Sequence, residues 1–318
     1  MVAFIIRRLV QSLVVLVIIM TVVFIAVRLL PGDPIRMYVT ANTQAGYTEE
    51  EIALVRHEVG LDKPLYLQYV DWVKGIFRGD LGRSILRKEP VTKEIFRRLP
   101  VTAYVCGLAF VFGIMVGVPL GIITAVRRGK WVDTLLTLFA YIGITIPVFW
   151  LGLLLMYLFG VYLKWLPVMG FTSPFTNFWL STRQLVMPVI CLAFFSIAAT
   201  ARQTRSSLLE VMRQDYIRTA YSKGLRERVV IWRHALKNSL IPIVTLVGLG
   251  IPMIIGGNVL VETVFNLPGI GVLLYNAVLN EDYPYVQGIV LIISAVILLS
   301  NFAVELTYGW LDPRIRYD

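Results

Sequence analysis

The sequence predicts an all-α integral membrane protein with six transmembrane helices and a long extracytoplasmic first loop. Three observations carry that prediction. The 318 residues are 57% hydrophobic and only 16% charged, with a mean hydropathy of +0.73, too apolar for an ordinary water-soluble domain. Apolar runs at 9–27, 101–126, 135–163, 185–201, 240–261 and 285–306 approach or exceed the roughly 20 residues a helix needs to cross a bilayer. If all six cross, the basic short loops fall on one side. Arg127, Arg128 and Lys130 follow the second run, Arg202 to Lys237 supply a basic loop after the fourth, and Arg314 and Arg316 follow the sixth. The opposite short loops carry only Lys164 and Arg183, and nothing basic lies between Glu262 and Tyr285. The positive-inside bias then puts both termini in the cytoplasm. The net charge of +10 sits beside the ends of apolar runs, a placement that fits membrane orientation rather than nucleic-acid binding.

Taken in order, Arg7 and Arg8 precede the first run. A cleaved signal would have an apolar core of about 7–15 residues and a small-x-small site; this run is longer and lacks one, so segment 1–28 reads as an uncleaved first helix. Segment 29–99 reads as an extracytoplasmic layer of short helices. Thr48 and Glu51 form a capping box for a helix through Ile52 and Val55 that stops at Gly60. Pro64 suits a helix start, and Leu65, Tyr69, Trp72 and Ile76 make an apolar stripe ending at Gly79. A third short helix is expected over 91–99. A structural cap is the favoured role of this layer over direct substrate contact. Segment 100–318 is then a five-helix core. Pro119, Pro147, Pro188, Pro242 and Pro252 lie in or at the ends of its spans, and Gly248, Gly250, Gly256 and Gly257 thin one side of the fifth.

The loop 202–239 is the most informative stretch. Leu209, Met212, Tyr216 and Ala220 recur at helical spacing, Gly224 breaks the pattern, and Leu225, Val229, Trp232, Leu236 and Leu240 form a second stripe. That is a helix, a hinge glycine and a second helix where water meets lipid; pattern alone leaves open a basic segment lying on the membrane surface. The spacing of Ala220, Gly224 and His234-Ala235-Leu236 resembles the cytoplasmic loop motif of ABC importer permeases. The fuller string RTAYSKGL…RHALKNSLIP is similar to the dipeptide, oligopeptide and nickel branch. Arg218 and Thr219 stand where the wider superfamily has Glu-Ala, His234 where it has Ile, and Lys237 where it has Pro, which is the pattern of the peptide branch. Leu30-Pro31-Gly32-Asp33-Pro34, Gly60-Leu61-Asp62-Lys63-Pro64-Leu65, Gly79-Asp80-Leu81-Gly82, the string from Val261 to Gly271, and Asp282-Tyr283-Pro284 resemble the same branch, so the resemblance covers nearly the whole chain.

The resemblance implies a type I permease fold in a bacterial or archaeal cytoplasmic membrane, and a coupling helix that docks on a separate ATPase. Carried over by position, the coupling residues are Asp215, Arg218, Thr219, Ala220, Lys223, Gly224, Leu225, Arg228, His234 and Ala235. The implied partners are a second homologous permease, two ATPase subunits and an extracytoplasmic substrate-binding protein. ATP and Mg would sit on the ATPases, with no cofactor on this chain. Di- or oligopeptides are the implied substrates, with nickel or glutathione as alternatives on the same scaffold.

No residue set looks catalytic. The one Gly-Lys pair, Gly129-Lys130, is followed by Trp131, so no P-loop is present. Cys106 and Cys191 fall in apolar runs and read as packing residues, and His57 and His234 lack metal-ligand spacing. Ser196, Thr200, Asn258, Glu262 and Asn301 are candidate lining residues of a translocation path, as are Thr145 and Thr245; hydrogen bonding between helices is the competing role for each. Glu262 and Glu305 read as interfacial residues that reach water. Without a paired mid-membrane carboxylate, a self-powered proton carrier is disfavoured, and a stand-alone channel or secondary transporter is the alternative from another class.

Overall fold

The computed structural model describes residues 2–29, 32–35, 48–240, 242–243, 248, 250, 254 and 258–311. Among them the regular backbone is helical, apart from an isolated bridge between Arg83 and Pro90. The main helices are α1 (Val2–Leu29), α2 (Glu49–Val59), α3 (Leu65–Phe77), α4 (Val91–Val126) and α5 (Trp131–Thr145). α6 (Val148–Leu155) continues in wider π-helical turns over Met156–Tyr162, and α7 follows over Phe178–Val211. After them come α8 (Asp215–Ser222) and α9, a stack over 227–239 with a π-helical middle, Val230–Ala235. The chain closes with α10 (Val259–Val264), α11 (Ile270–Leu279) and α12 (Tyr283–Leu311). The predicted fifth span, 240–261, falls mostly outside the described residues, as do Thr245, Pro252, Gly256 and Gly257.

The chain divides into two compact units, and α4 passes from one into the other at Thr102–Ala103. The first unit holds α1–α3, the start of α4, α11 and α12. α1 packs along α12, and Met20, Val27, Val91, Ile95, Ile270 and Ile289 are among the side chains buried in its core. The predicted outer helices form: Gly60 and Gly79 end them with φ of +74° and +76°, the left-handed conformation that stops a helix. Trp72 and Ile76 of the α3 stripe turn to the core, and Phe24 of α1 meets Tyr69 edge-on at 5.1 Å. The loop before α4 is pinned by the buried Asp282 carboxylate, which accepts from the Ser84 hydroxyl and, at 3.2 Å, from the Ile85 N–H. Arg8 pairs with Glu305 at 3.0 Å, with both side chains partly exposed.

The helix expected over 91–99 does form, but it is the beginning of α4 rather than a separate element. Pro100 does not break it. Glu94 receives Arg97 at 2.9 Å and Arg98 at 2.5 Å from the next turn, while Val91 and Ile95 are fully buried, so packing holds the turn that proline weakens.

The second unit holds the rest of α4, α5 to α9, and Leu260–Leu267. α4 and α7 lie unusually close. A Cβ on Gly113, Gly117 or Gly121 would come within 2.6, 2.8 and 2.4 Å of Ser196, Thr200 and Thr204 respectively, so only hydrogen fits at three successive turns. Gly250, in the partly described fifth span, likewise abuts Phe110. The predicted span 135–163 is not one straight helix: it is two arms, α5 and α6, bent by 108°. Ile146 is extended (ψ 129°) because the ring of Pro147 disfavours the helical conformation in the residue before it. α7 exceeds the predicted 185–201 at both ends. The Asn177 side chain caps its start at 3.0 Å from the Leu180 N–H, and its last turns carry Arg202, Arg205 and Glu210 beyond the apolar stretch.

Candidate functional site

The segment 212–239 of the second unit is built on the ends of α4 and α7. α7 stops at Val211 and a turn over 212–214 redirects the chain, so the predicted stripe Leu209, Met212, Tyr216, Ala220 is not one helix face. In its place α8 buries Ile217 (0% exposed) and Ala220 (6%). They pack with Leu208 of α7, Ala125 of α4, and Val230 and Ala235 of α9. Ile217 was hidden from periodicity because the register resets at Asp215, whose negative charge in the first turn was the available signal.

Gly224 has φ +75°, its N–H reaches the Tyr221 carbonyl at 2.9 Å, and nothing lies within 4 Å of where its Cβ would be. The position therefore selects glycine for backbone conformation and not for space. Of the second predicted stripe, Leu225, Val229 and Trp232 are exposed and Leu236 and Leu240 half-buried, while Val230, Ile231, Ala235 and Ser239 turn inward, a register set by the π-helical turns. Tyr216 and Tyr221 join the exposed set, with the Tyr216 hydroxyl accepting from Asn238 at 2.8 Å. Burial, and then the charge of Glu227, pushes the Tyr221 phenol above its ordinary value of 10. Of the residues assigned to coupling, Ala220 and Ala235 are buried and His234 half-buried. Asp215, Arg218, Thr219, Lys223, Gly224, Leu225 and Arg228 are exposed. Arg218 and Asp215 stand 3.6 Å apart in full solvent, a pair worth little. The outward face is thus aromatic and aliphatic, rimmed by cations.

Beside this segment lies a contact that composition did not reveal. Asp133, 8% exposed, takes both ends of the Arg205 guanidinium at 2.9 Å, with the Gly129 N–H at 3.0 Å and the Thr137 hydroxyl at 3.3 Å completing its bonds. It locks the start of α5 to the end of α7. The signal was present as the single acid after Arg127, Arg128 and Lys130.

The path residues are divided between the two units. Thr200 is 1% exposed against Gly117, and Ser196 is half-buried against Gly113, both on α7. Glu262, read as reaching water, is instead 4% exposed in the second unit, whereas Glu305 is partly exposed beside Arg8. Asn258 and Asn301 are half-buried in the first unit. Among the described residues no group of three His, Cys, Asp or Glu could hold a metal ion.

Residues 117–317 match the family model described as the binding-protein-dependent transport system inner membrane component, and residues 1–106 match that of its N-terminal region. The chain belongs to that family. The permease is accordingly a multi-pass, inner-membrane transport subunit of an ABC importer, working in a complex with ATPase and binding-protein components. It is 41% identical to the probable peptide ABC transporter permease protein y4tP of Sinorhizobium fredii, over 99% of both chains. It is 37% identical to the dipeptide transport system permease protein DppB of Alkalihalophilus pseudofirmus, over 100% of both. It is 39% identical to the glutathione transport system permease protein GsiC of Pectobacterium atrosepticum, again over 100% of both. An inward-facing structure of the MetNI methionine ABC transporter superposes with a TM-score of 0.55. It is 17% identical and the match covers 70% of this chain and 99% of that one, a likeness of fold.

Proposed function

We propose that this permease forms half of the membrane pathway of an ATP-driven importer of di- or oligopeptides, and that α8 and the turn at Gly224 transmit ATPase motion to its helices. The observation that carries the coupling reading is the two-sidedness of α8. Its inner face, Ile217 and Ala220, is anchored on α4 and α7, while Tyr216, Tyr221 and Leu225 stand outward beside Arg218, Lys223 and Arg228. An apolar face with a basic rim is the anatomy of a protein contact. Rigid attachment behind it lets a push on α8 reach two long helices at once.

The chemistry of the reaction belongs to the partners: two ATPase subunits hold ATP and Mg, a second permease completes the pathway, and a binding protein delivers substrate outside. Peptide as substrate rests on the full-length relatives named for peptide and dipeptide transport. The test is reconstitution. The tagged permease is purified with its co-purifying subunits, placed in liposomes with the binding protein, and supplied with ATP and radiolabelled dipeptide. ATP-dependent accumulation that a non-hydrolysable analogue abolishes is the expected result. Accumulation of glutathione and of no dipeptide would reassign the substrate; recovery of this chain without any ATPase would sink the coupling reading as well.

A further inference from the structure

We propose that the second unit carries a binding site for one anionic phospholipid, with an acyl chain in a slot between α4, α5 and α7 and the phosphate among Arg128, Arg202 and Arg213. The slot is walled by Leu120, Leu136, Ala140, Gly143, Phe194 and Ala198, and its enclosed volume is about 80 Å³, room for a few methylene groups, so the rest of an acyl chain lies along its open side. Small side chains make the groove: glycine and alanine on α5 and α7 leave room that Leu120, Leu136 and Phe194 flank. Along α5 the lining runs from Leu136 to Ile144 and along α7 from Phe194 to Arg205, or about 12 and 16 Å at about 1.5 Å per residue. That matches one leaflet, half of a hydrocarbon core about 30 Å thick. Phe139 and Tyr141 on its edge are about half exposed, so the slot is not sealed from the surrounding medium.

At one end the slot meets a polar cavity of about 460 Å³, and the two share Arg202 and Arg205. The mouth is lined by Arg128, Arg202, Arg205, Ser206, Glu210 and Arg213. Arg205 is already committed to Asp133. Among the described residues Arg128, Arg202 and Arg213 have no ion-pair partner, so the mouth holds three uncompensated cations near Glu210. Cations where an apolar leaflet-length groove ends are complementary to a phosphodiester carrying an acyl tail, and net positive charge favours an anionic headgroup over a zwitterionic one. A soluble anion would use the mouth and leave the slot empty.

The test uses the purified full transporter in nanodiscs doped with phosphatidylglycerol or phosphatidylcholine bearing a photoreactive acyl chain, with labelled peptides mapped by mass spectrometry. Labelling within 136–144 and 194–205 is expected, about 25-fold stronger for phosphatidylglycerol, since three arginines less the opposing Glu210 leave two net charges and each arginine beside an anionic lipid favours binding about fivefold. The exposed-site double variant Arg202→Gln/Arg213→Gln should bring the two lipids to equal labelling. The headgroup comparison on the unaltered protein needs no variant and decides the question alone. Equal labelling by both lipids there would overturn the site. So would its appearance on the second permease in place of this slot, which would mean that a subunit covers the groove.

Discussion

At the scale of single residues, Gly224 isolates backbone from packing. With φ +75° and no neighbour near its absent Cβ, a substitution meets no steric wall and feels only the left-handed conformation, which costs a non-glycine residue about 1–2 kcal/mol. Proline is worse, since its φ is fixed near −65° and it removes the N–H that reaches Tyr221. Gly224→Pro should therefore reach the membrane in normal amounts yet lose ATP-dependent uptake, while Gly224→Asn, which tolerates this conformation, should keep most of it. Normal uptake by the proline variant would remove the turn from the coupling mechanism. Asp282 gives a pH prediction. Burial pushes its carboxyl above the ordinary 3.8, against the opposing hydrogen bonds from Ser84 and the N–H groups of Ile85, Leu86 and Tyr285. A raised carboxyl holds its proton more tightly folded than unfolded. Its contribution is thus fullest below the ordinary value and is lost as pH rises through the folded one. The stability difference between Asp282→Asn and the parent should be constant at the acid end and change as pH climbs above about 4, as read by thermal unfolding. A pH-independent difference would contradict the shift. Asp282 shows the limit of sequence at this scale: Asp282-Tyr283-Pro284 was legible as a family string, but its partner Ser84 lies far away in the chain and no local pattern joins them.

At the scale of elements, α4 and α7 are held by absence of side chains. Gly117 is the central step: a Cβ there would sit 2.8 Å from the Thr200 Cβ and 2.9 Å from the Ile197 carbonyl oxygen, and a carbonyl on a helix axis cannot step aside. Gly117→Val should destabilise the second unit by about 1–3 kcal/mol, the usual cost of overpacking, visible as a lowered unfolding temperature of the purified complex. A glycine at 129, where nothing lies within 4 Å, supplies the contrast: any cost of Gly129→Asn should come from its backbone, φ +75°, alone. The existence of these helices was legible from hydropathy, and their ends were not. Hydropathy sees where lipid stops, so it missed that α4 and α7 continue past the apolar stretch on buried residues such as Ile95 and Leu208. It also missed the bend at Pro147, because both arms of the bent pair are apolar and only the residue before a proline marks the change.

For the molecule as a whole, the bend raises a question of sides that the ion pair between Asp133 and Arg205 answers. Neither α5 alone, at about 22 Å, nor the shorter α6, at about 12 Å before its π-helical turns, covers a hydrocarbon core about 30 Å thick. The pair could dip in and return or could cross. α7 is long and apolar enough to cross by itself. Asp133 at the start of α5 touches Arg205 near the end of α7, so these two points lie on one side. The start of α7 is then on the other side, and the chain between must have crossed once. That places Arg127, Arg128 and Lys130 with the basic loop 202–239, in keeping with the charge bias, whereas a re-entrant pair would split these cations across the membrane. Single cysteines at Lys130, Thr176 and Arg226 in a Cys106→Ser/Cys191→Ser background read the answer with a membrane-impermeant maleimide. In intact cells, stripped of any outer membrane, Thr176→Cys should label, and Lys130→Cys and Arg226→Cys only after permeabilisation. Labelling of Lys130→Cys from outside, with Arg226→Cys still protected, would mean that the bent pair returns to its own side. The lock between α5 and α7 would then have to be formed in some other arrangement of these helices.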